Sequence, residues 1–325
     1  MTTNQLLTGL VDDGVLFPPA ALPMRTALAR HVADLAAGSP VLTHRLLCPA
    51  SRLDDLRRRD PGPLRLGLVM DMDEPPDVAG LNVDHVDVVL PARATRQAGS
   101  PQTFAPGRPG PTGVSPWEED SAAPPGATLA APYPGTPGVP VPVQLKRAGT
   151  TPAGDLLPLS ARLLAPWAPA SARLFVEVKS EMLPVRLAEG VGLKIRCGGT
   201  RAEDFPSTRE LGAFVRYCVR NGVPFKAAAG LHHAVRHPDA CFGVYRHGFL
   251  NLVLSVCAVV QDRDPVPVLE STDPAELVRI FRAVPGDVAR RARELLVSYG
   301  SCNTTAPLAD LAELGLTGAP ARIVT

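Results

Sequence analysis

Lysine is nearly absent from this chain: of 33 basic residues only Lys146, Lys179, Lys194 and Lys226 are lysines. Charge of one sign is missing too, since the formal net charge is +1. That excludes electrostatic capture of nucleic acid or of an anionic membrane. Aromatic residues make up only 5% of the chain, too few for a platform that stacks single-stranded bases. No pair of cysteines has CxxC spacing, and Cys218 and Cys257 sit inside apolar runs. The six cysteines therefore read as small hydrophobes in a reducing compartment. The opening MTTNQLLTGLVDDG has no basic region followed by an apolar block, so it does not read as a signal peptide. The longest apolar segment, 249–260, is too short to span a bilayer and reads as a buried helix. The expectation is a cytoplasmic protein, with neither membrane nor nucleic acid as partner.

What is present alternates between strand-like and helix-like sequence, the pattern of βα units around a parallel sheet. Residues 20–37 have helical period. VLTHRLL (41–47), LRLGLVMD (64–71), VDHVDVVL (83–90), RLFVEV (173–178), GLKIRCG (192–198) and VPFKAAAG (223–230) read as strands. VPVLES (266–271) is expected as a seventh and LVSYGS (296–301) as an eighth, with helices at 273–283 and 286–297. Residues 1–325 thus form one α/β domain, a TIM-like (β/α)8 barrel. From Pro91 to Pro142 proline and glycine recur every few residues, and proline cannot donate to a sheet. That stretch is expected to be a disordered Pro/Gly-rich insertion.

The clearest unit is 191–231. A strand ends at Cys197-Gly198-Gly199, and Ser207 with Glu210 forms an S-x-x-E capping box. Leu211, Phe214, Val215, Cys218 and Val219 make an apolar stripe, and Asn221-Gly222 stops the helix before the next strand. Two parallel, neighbouring strands follow from such a crossover.

Side chains alternate across strands. If the apolar sets meet the helices, Asp71, Asp87, Glu177, Lys194, Arg196 and Lys226 point into the barrel or sit at its rim. Structural barrel interiors are filled with branched aliphatics. Buried charges are costly unless paired, and such costs are commonly met at active sites. Strands about 4.8 Å apart would bring Lys194 and Lys226 close enough to depress each other's pKa, as a Schiff-base lysine requires. Arginine cannot form an imine, which would account for lysine at these places. The structural alternative is a buried ion-pair network joining Glu177 and the aspartates.

Gly198-Gly199 could cradle a phosphate or carboxylate together with Arg196, or simply turn the chain. His232 and His233 follow the Lys226 strand at the end where barrel enzymes keep their chemistry, and general acid–base work is open to them. His247 and Asn251 lie one helical turn apart downstream and join the substrate-binding candidates with His233 and Asp71. No HExxH or comparable spacing supports a metal, and no cofactor is expected. Cys302, in Gly-Ser-Cys-Asn, reads by default as a buried thiol.

The segments LKIRCGG, PFKAAAGLHH, HGFLNL and YGSC…LADLAELGL resemble a family of uncharacterised bacterial α/β-barrel proteins. More distantly, a lysine strand ending in glycine and followed by K-A-x-x-G is similar to class I aldolases of the deoxyribose-phosphate aldolase type. That resemblance, over some forty residues, implies Lys194 as the imine-forming residue, Lys226 as its pKa-lowering neighbour and Asp87 as a proton shuttle. The chain departs from the aldolases at Arg196 and Cys197, where they use small hydroxyl residues. It departs again at His232-His233, which replace the phosphate-loop region.

The sequence therefore points to a barrel enzyme acting on a small anionic metabolite, a carbonyl compound, through lysine imine or enolate chemistry. Lys194 or Lys226 would be the nucleophile, Arg196 the anion clamp, Glu177 or Asp87 the proton carrier and His232 an auxiliary acid. A non-covalent isomerase or lyase using the same residues, and a non-catalytic barrel binding a metabolite or a protein, remain as alternatives. A homo-oligomer is compatible with either.

Overall fold

The computed structural model describes residues 5–60, 62–72, 74–89, 171–180, 183 and 189–317. The Pro/Gly-rich stretch at 91–142 lies outside the described residues. Alternating apolar residues produce strands β1 (Val11–Asp13), β2 (Leu42–Pro49), β3 (Arg65–Val69), β4 (Asn82–Val89), β5 (Arg173–Glu177), β6 (Gly192–Arg196) and β7 (Phe225–Ala228). A hairpin, β8 (His237–Asp239) with β9 (Val244–Arg246), precedes β10 (Leu296–Ser301). The ring runs β1-β10-β7-β6-β5-β4-β3-β2 and closes, with every neighbour parallel. This is a TIM-like (β/α)8 barrel.

Helices α1 (Met24–Ala37), α2 (Leu53–Arg57), α3 (Thr208–Arg220), α4 (Phe249–Val260), α5 (Val266–Glu270), α6 (Pro274–Arg282), α7 (Gly286–Leu295) and α8 (Thr305–Glu313) flank it. Helix α3 starts as its sequence dictates. Ser207 Oγ accepts from Glu210 N, and the Glu210 carboxylate accepts from Ser207 N at 2.7 Å. Its stripe of Leu211, Phe214, Val215 and Cys218 is buried, and Gly222 takes the left-handed φ of 63° that ends it. Each large apolar side chain buried this way contributes about 1.5–3 kcal/mol. β6 and β7 then pair side by side, Leu193 opposite Phe225 and Lys194 opposite Lys226.

The outer faces of the strands carry the core. Leu66, Leu68, Val86, Val88, Val176, Leu193, Ile195, Phe225, Ala227 and Tyr299 are all buried. Helix α4 is buried on every side except its last residue, packs against α3, α5, α6 and α7, and stacks Phe249 on Tyr299 with ring centroids 5.3 Å apart. Among the described residues no helix is long and apolar enough to cross a membrane.

Two elements differ from the sequence expectation. VPVLES is not a strand: 266–270 is helix α5, because Asp264 Oδ1 accepts from Val266 N and two prolines, Pro265 and Pro267, fix φ for a first turn. The ring position left open is filled by β1, three residues within GLVDDG, too short to show alternation. β1 also holds the barrel's main irregularity. Between its pairings Val11–Leu42 and Asp13–Leu46 it advances two residues while β2 advances four, and His44 takes a left-handed φ of 54° to absorb the excess.

Candidate active site

Inside the ring the polar side chains form one unbroken series of alternating charge. Arg65 Nη2 lies 2.6 Å from Asp84, and Arg45 Nε lies 3.2 Å from the same carboxylate. Arg45 Nη1 reaches Asp12 Oδ1 at 2.6 Å, and Asp12 Oδ2 lies 3.4 Å from Lys226 Nζ. Lys226 Nζ is 3.2 Å from Asp87 Oδ1, and Lys194 Nζ is 3.2 Å from Asp87 Oδ2. Lys194 continues to Glu177 Oε2 at 3.2 Å, and Arg196 Nε closes on Glu177 Oε1 at 3.1 Å. Ser298 Oγ and Thr43 Oγ1 donate to Asp12 at 2.7 and 2.8 Å, so all eight strands of the ring contribute. The series begins at Arg65, on the first residue of β3, and ends at Arg196, on the last residue of β6. The latter is the carboxyl-terminal end, where barrels carry their chemistry.

Local packing makes room for this series. Gly192 stands where a Cβ would come within 2.5 Å of the Phe175 ring, so β6 has no side chain there and Phe175 fills the interior below the charges. Lys226 Nζ lies 5.4 Å from the Phe175 centroid, and His85 meets the same ring edge-on at 5.0 Å. Lys226 is 1% exposed and Lys194 4%, whereas the Arg196 side chain is 40% exposed.

Burial alone would push the carboxyls up, but the cations outweigh it. Asp12 is held down to about 2 by Lys226 and Arg45. Asp87 lies below the usual range because of Lys194 and Lys226, and Glu177 because of Lys194 and Arg196. Burial opposes a charge on Lys194, yet Asp87 and Glu177 raise its pKa. The expected mutual depression of Lys194 and Lys226 is thus corrected for Lys194: the Asp87 carboxylate reaches both ammoniums, and attraction replaces repulsion. His85 is pushed down to about 3 by burial and then by Lys226 and Arg45, so it is neutral near pH 7.

Of the residues read from sequence, Asp87, Glu177, Lys194, Arg196 and Lys226 are brought together. The others are placed elsewhere or bound otherwise. Asp71 accepts from Ser51 N at 2.8 Å and Ser51 Oγ at 2.5 Å. His232 Nδ1 lies 3.6 Å from Cys302 Sγ, and burial with the Arg246 charge pushes it down to about 4, so at neutral pH it holds no acidic proton for an auxiliary acid. His233 pairs with Asp310 at 3.2 Å, which raises its pKa. His247 Nε2 donates to Pro206 O at 2.6 Å. Asn251 is fully buried; its Oδ1 accepts from Arg236 N, and its Nδ2 donates to Val268 O and Ser271 O. Gly198 abuts Gly230, where a Cβ would come within 2.9 Å of the Gly230 Cα, and a Cβ on Gly199 would collide with the Asp204 carboxylate. Both glycines are accounted for by close packing.

Sequence reading missed Asp12, Arg45, Arg65 and Asp84 as members. Arg45 and Asp84 carried the necessary signal, charges inside strands, and Asp12 was hidden by the brevity of β1. Among the described residues no three His, Cys, Asp or Glu side chains converge to hold a metal ion. Two surface hollows among the described residues, by Arg216, Arg220 and Arg263 and by Arg25, Arg58 and Arg59, involve no member of the ionic series.

The fold and site define a parallel α/β barrel with a continuous ionic series running through its interior. Compared with family models, with curated proteins and with solved structures, the chain matches none.

Proposed function

We propose that the barrel is an isomerase or lyase that binds a small anionic carbonyl compound at the ends of β5 and β6 and removes a proton beside the carbonyl without a covalent intermediate. The observation that carries this reading is the terminus of the ionic series. Arg196 spends Nε on Glu177 and is the half-exposed cation at the carboxyl-terminal end, next to an ammonium that its carboxylates keep charged. Arg196 clamps the anionic group of the substrate. Glu177 Oε2, 3.2 Å from Lys194 Nζ but out of line for a hydrogen bond, accepts the proton.

The charge balance of that step is favourable. When Glu177 takes the proton it becomes neutral, and the charge it loses appears on the enolate oxygen. Lys194 then transfers its pairing from the carboxylate to the enolate, and the net charge of series and substrate together is unchanged throughout. General-base catalysis of this kind contributes about 10²–10⁴-fold.

One observation favours an imine instead: Lys194 and Lys226 are direct partners across β6 and β7, with Asp87 in reach of both to carry protons. The two mechanisms separate cleanly. Wild-type protein in D₂O should exchange the α-protons of at least one compound in a panel of keto acids and hydroxyaldehydes, followed by proton NMR. Glu177→Gln should slow exchange about 10²–10⁴-fold. Borohydride treatment with the exchanging compound should leave the lysines unmodified; an adduct mapped to Lys194 or Lys226 would replace this mechanism with the imine. No exchange across the panel would sink both and leave a binding barrel.

A further inference from the structure

Resting on that reading, we infer that the anionic group recognised at Arg196 is a carboxylate and not a phosphate ester, so that the substrates are keto or hydroxy acids. Two independent features of the described residues carry this. The first is parity. The series contains five cations, Arg65, Arg45, Lys226, Lys194 and Arg196, and four anions, Asp84, Asp12, Asp87 and Glu177. One positive charge is left over. It falls at the carboxyl-terminal end, because the Arg196 hydrogen bond to Glu177 uses Nε, and its terminal nitrogens have no hydrogen-bond partner among the described residues. A planar two-nitrogen fork with one unit of charge to neutralise matches a monoanionic carboxylate in shape and charge. A phosphate monoester near −2 would overfill it.

The second feature is the loop after β6. Barrels and nucleotide folds hold phosphate on backbone N–H groups of glycine-rich loops, and Gly198-Gly199-Thr200-Arg201 is the segment placed to do so beside Arg196. That segment already holds an anion of its own. Asp204 Oδ2 accepts from Thr200 N at 3.0 Å and Arg201 N at 3.1 Å, and Asp204 Oδ1 accepts from the Arg201 guanidinium at 3.2 Å. Gly199 lacks a Cβ at the point where that carboxylate packs. Burial resists the charge on Asp204, but these donors hold its pKa below the usual range. The donors a phosphate would need are spent on an internal carboxylate, and a dianion placed next to it would be repelled.

Titration calorimetry with pyruvate and with dihydroxyacetone phosphate tests this on the full chain. Wild type should bind pyruvate at least about tenfold more tightly than the phosphate ester. Arg196→Gln should weaken pyruvate roughly 10- to 100-fold, the value of a lost charge-assisted pair. Arg196→Lys, which keeps the charge but not the fork, should lie between. Asp204→Ala, away from the ionic series, should raise affinity for the phosphate ester severalfold and leave pyruvate unchanged. Arg196-dependent binding of the phosphate ester equal to or tighter than pyruvate would overturn the carboxylate assignment while leaving the anion site standing. An unchanged phosphate affinity in Asp204→Ala would overturn the role given to the loop. Failure of wild type to bind either probe, or binding indifferent to Arg196, would overturn the site itself.

Discussion

Around α4 and inside the barrel, the chain buries polar side chains by two different means. Asn251 and His247 lie at the foot of α4 and bond to main-chain groups: Arg236 N, Val268 O and Ser271 O for the first, Pro206 O for the second. Those bonds tie loops to α5 and satisfy Asn251 completely, whereas the buried His247 Nδ1 has no partner among the described residues. The ionic series bonds side chain to side chain and ends with an unmatched cation at the carboxyl-terminal end. A polar group satisfied by fixed backbone has nothing left to offer a ligand. An alternating series with one charge over has an opening for one. Burial of polar atoms is therefore no sign of function by itself; what separates the two regions is that the remainder at Arg196 is charged and half-exposed, while the one at His247 is enclosed.

Removing one member from each region should break the comparison most sharply. Asp87→Ala takes one of two carboxylate partners from each of two buried ammoniums, leaving Lys194 with Glu177 and Lys226 with Asp12, and should cost about 3–5 kcal/mol in urea unfolding. Asn251→Ala leaves three backbone groups short of a partner and should cost about 1–3 kcal/mol, with less spread because water can reach loop groups. An Asp87→Ala cost below that of Asn251→Ala would mean the ionic series is not electrostatically tight.

Acid should act on both regions through different groups, the carboxylates of the ionic series and His247, whose pKa burial lowers. The folded pKa of Asp12, about 2, lies below its ordinary value, and those of Asp87 and Glu177 are lowered as well. Lowered carboxyls stabilise the fold above their unfolded pKa, and that contribution is lost as pH falls through the folded value. Unfolding free energy should fall first below about pH 6.5, where His85 and His232 would protonate in the unfolded chain but not in the fold. It should fall again from about pH 4 toward pH 2, with Asp12 accounting for roughly 2 kcal/mol of the second step. Asp12→Asn should flatten that limb, whereas Asn251→Ala should lower the whole curve without changing its slope. Lys194 has the opposite sign: its raised pKa stabilises below the ordinary lysine value and is lost only in stronger alkali.

The smallest effect is expected at Tyr299, whose buried hydroxyl has no hydrogen-bond partner among the described residues. Tyr299→Phe removes an uncompensated polar atom while keeping the stack on Phe249, and should change stability by less than about 1 kcal/mol in either direction.

Much of this molecule was legible from sequence because period-two alternation survives wherever a strand is five residues or longer. RLFVE, GLKIR and RLGLV each keep their leucines, Val176 and Ile195 outward and their charges inward in the structure, with Phe175 the large apolar residue on the inner face. VPVLES imitated a strand because six residues of mixed apolar character cannot distinguish a strand from fewer than two helical turns; the Asp264 cap decided it. Which charges belong together was beyond reach, since pairing depends on how the ring closes. Lys194 and Glu177 meet because β5 and β6 are neighbours. Lys226 and Asp12 meet across the lumen from strands separated by β10, a relation no local pattern encodes.

The shortest strand has a consequence for how the chain acquires this shape. Asp12 receives a hydrogen bond from Ser298, 286 positions away, and β1 takes its place in the ring only by pairing with β10 and β2. During synthesis the early aspartate must stay hydrated while the strands that will surround it are still being made, because burying it beforehand would leave a charge without a mate. Contacts of such long sequence span form late and together. The ring can therefore be sealed only after β10 has been made, and a chain halted before β10 carries an open sheet edge.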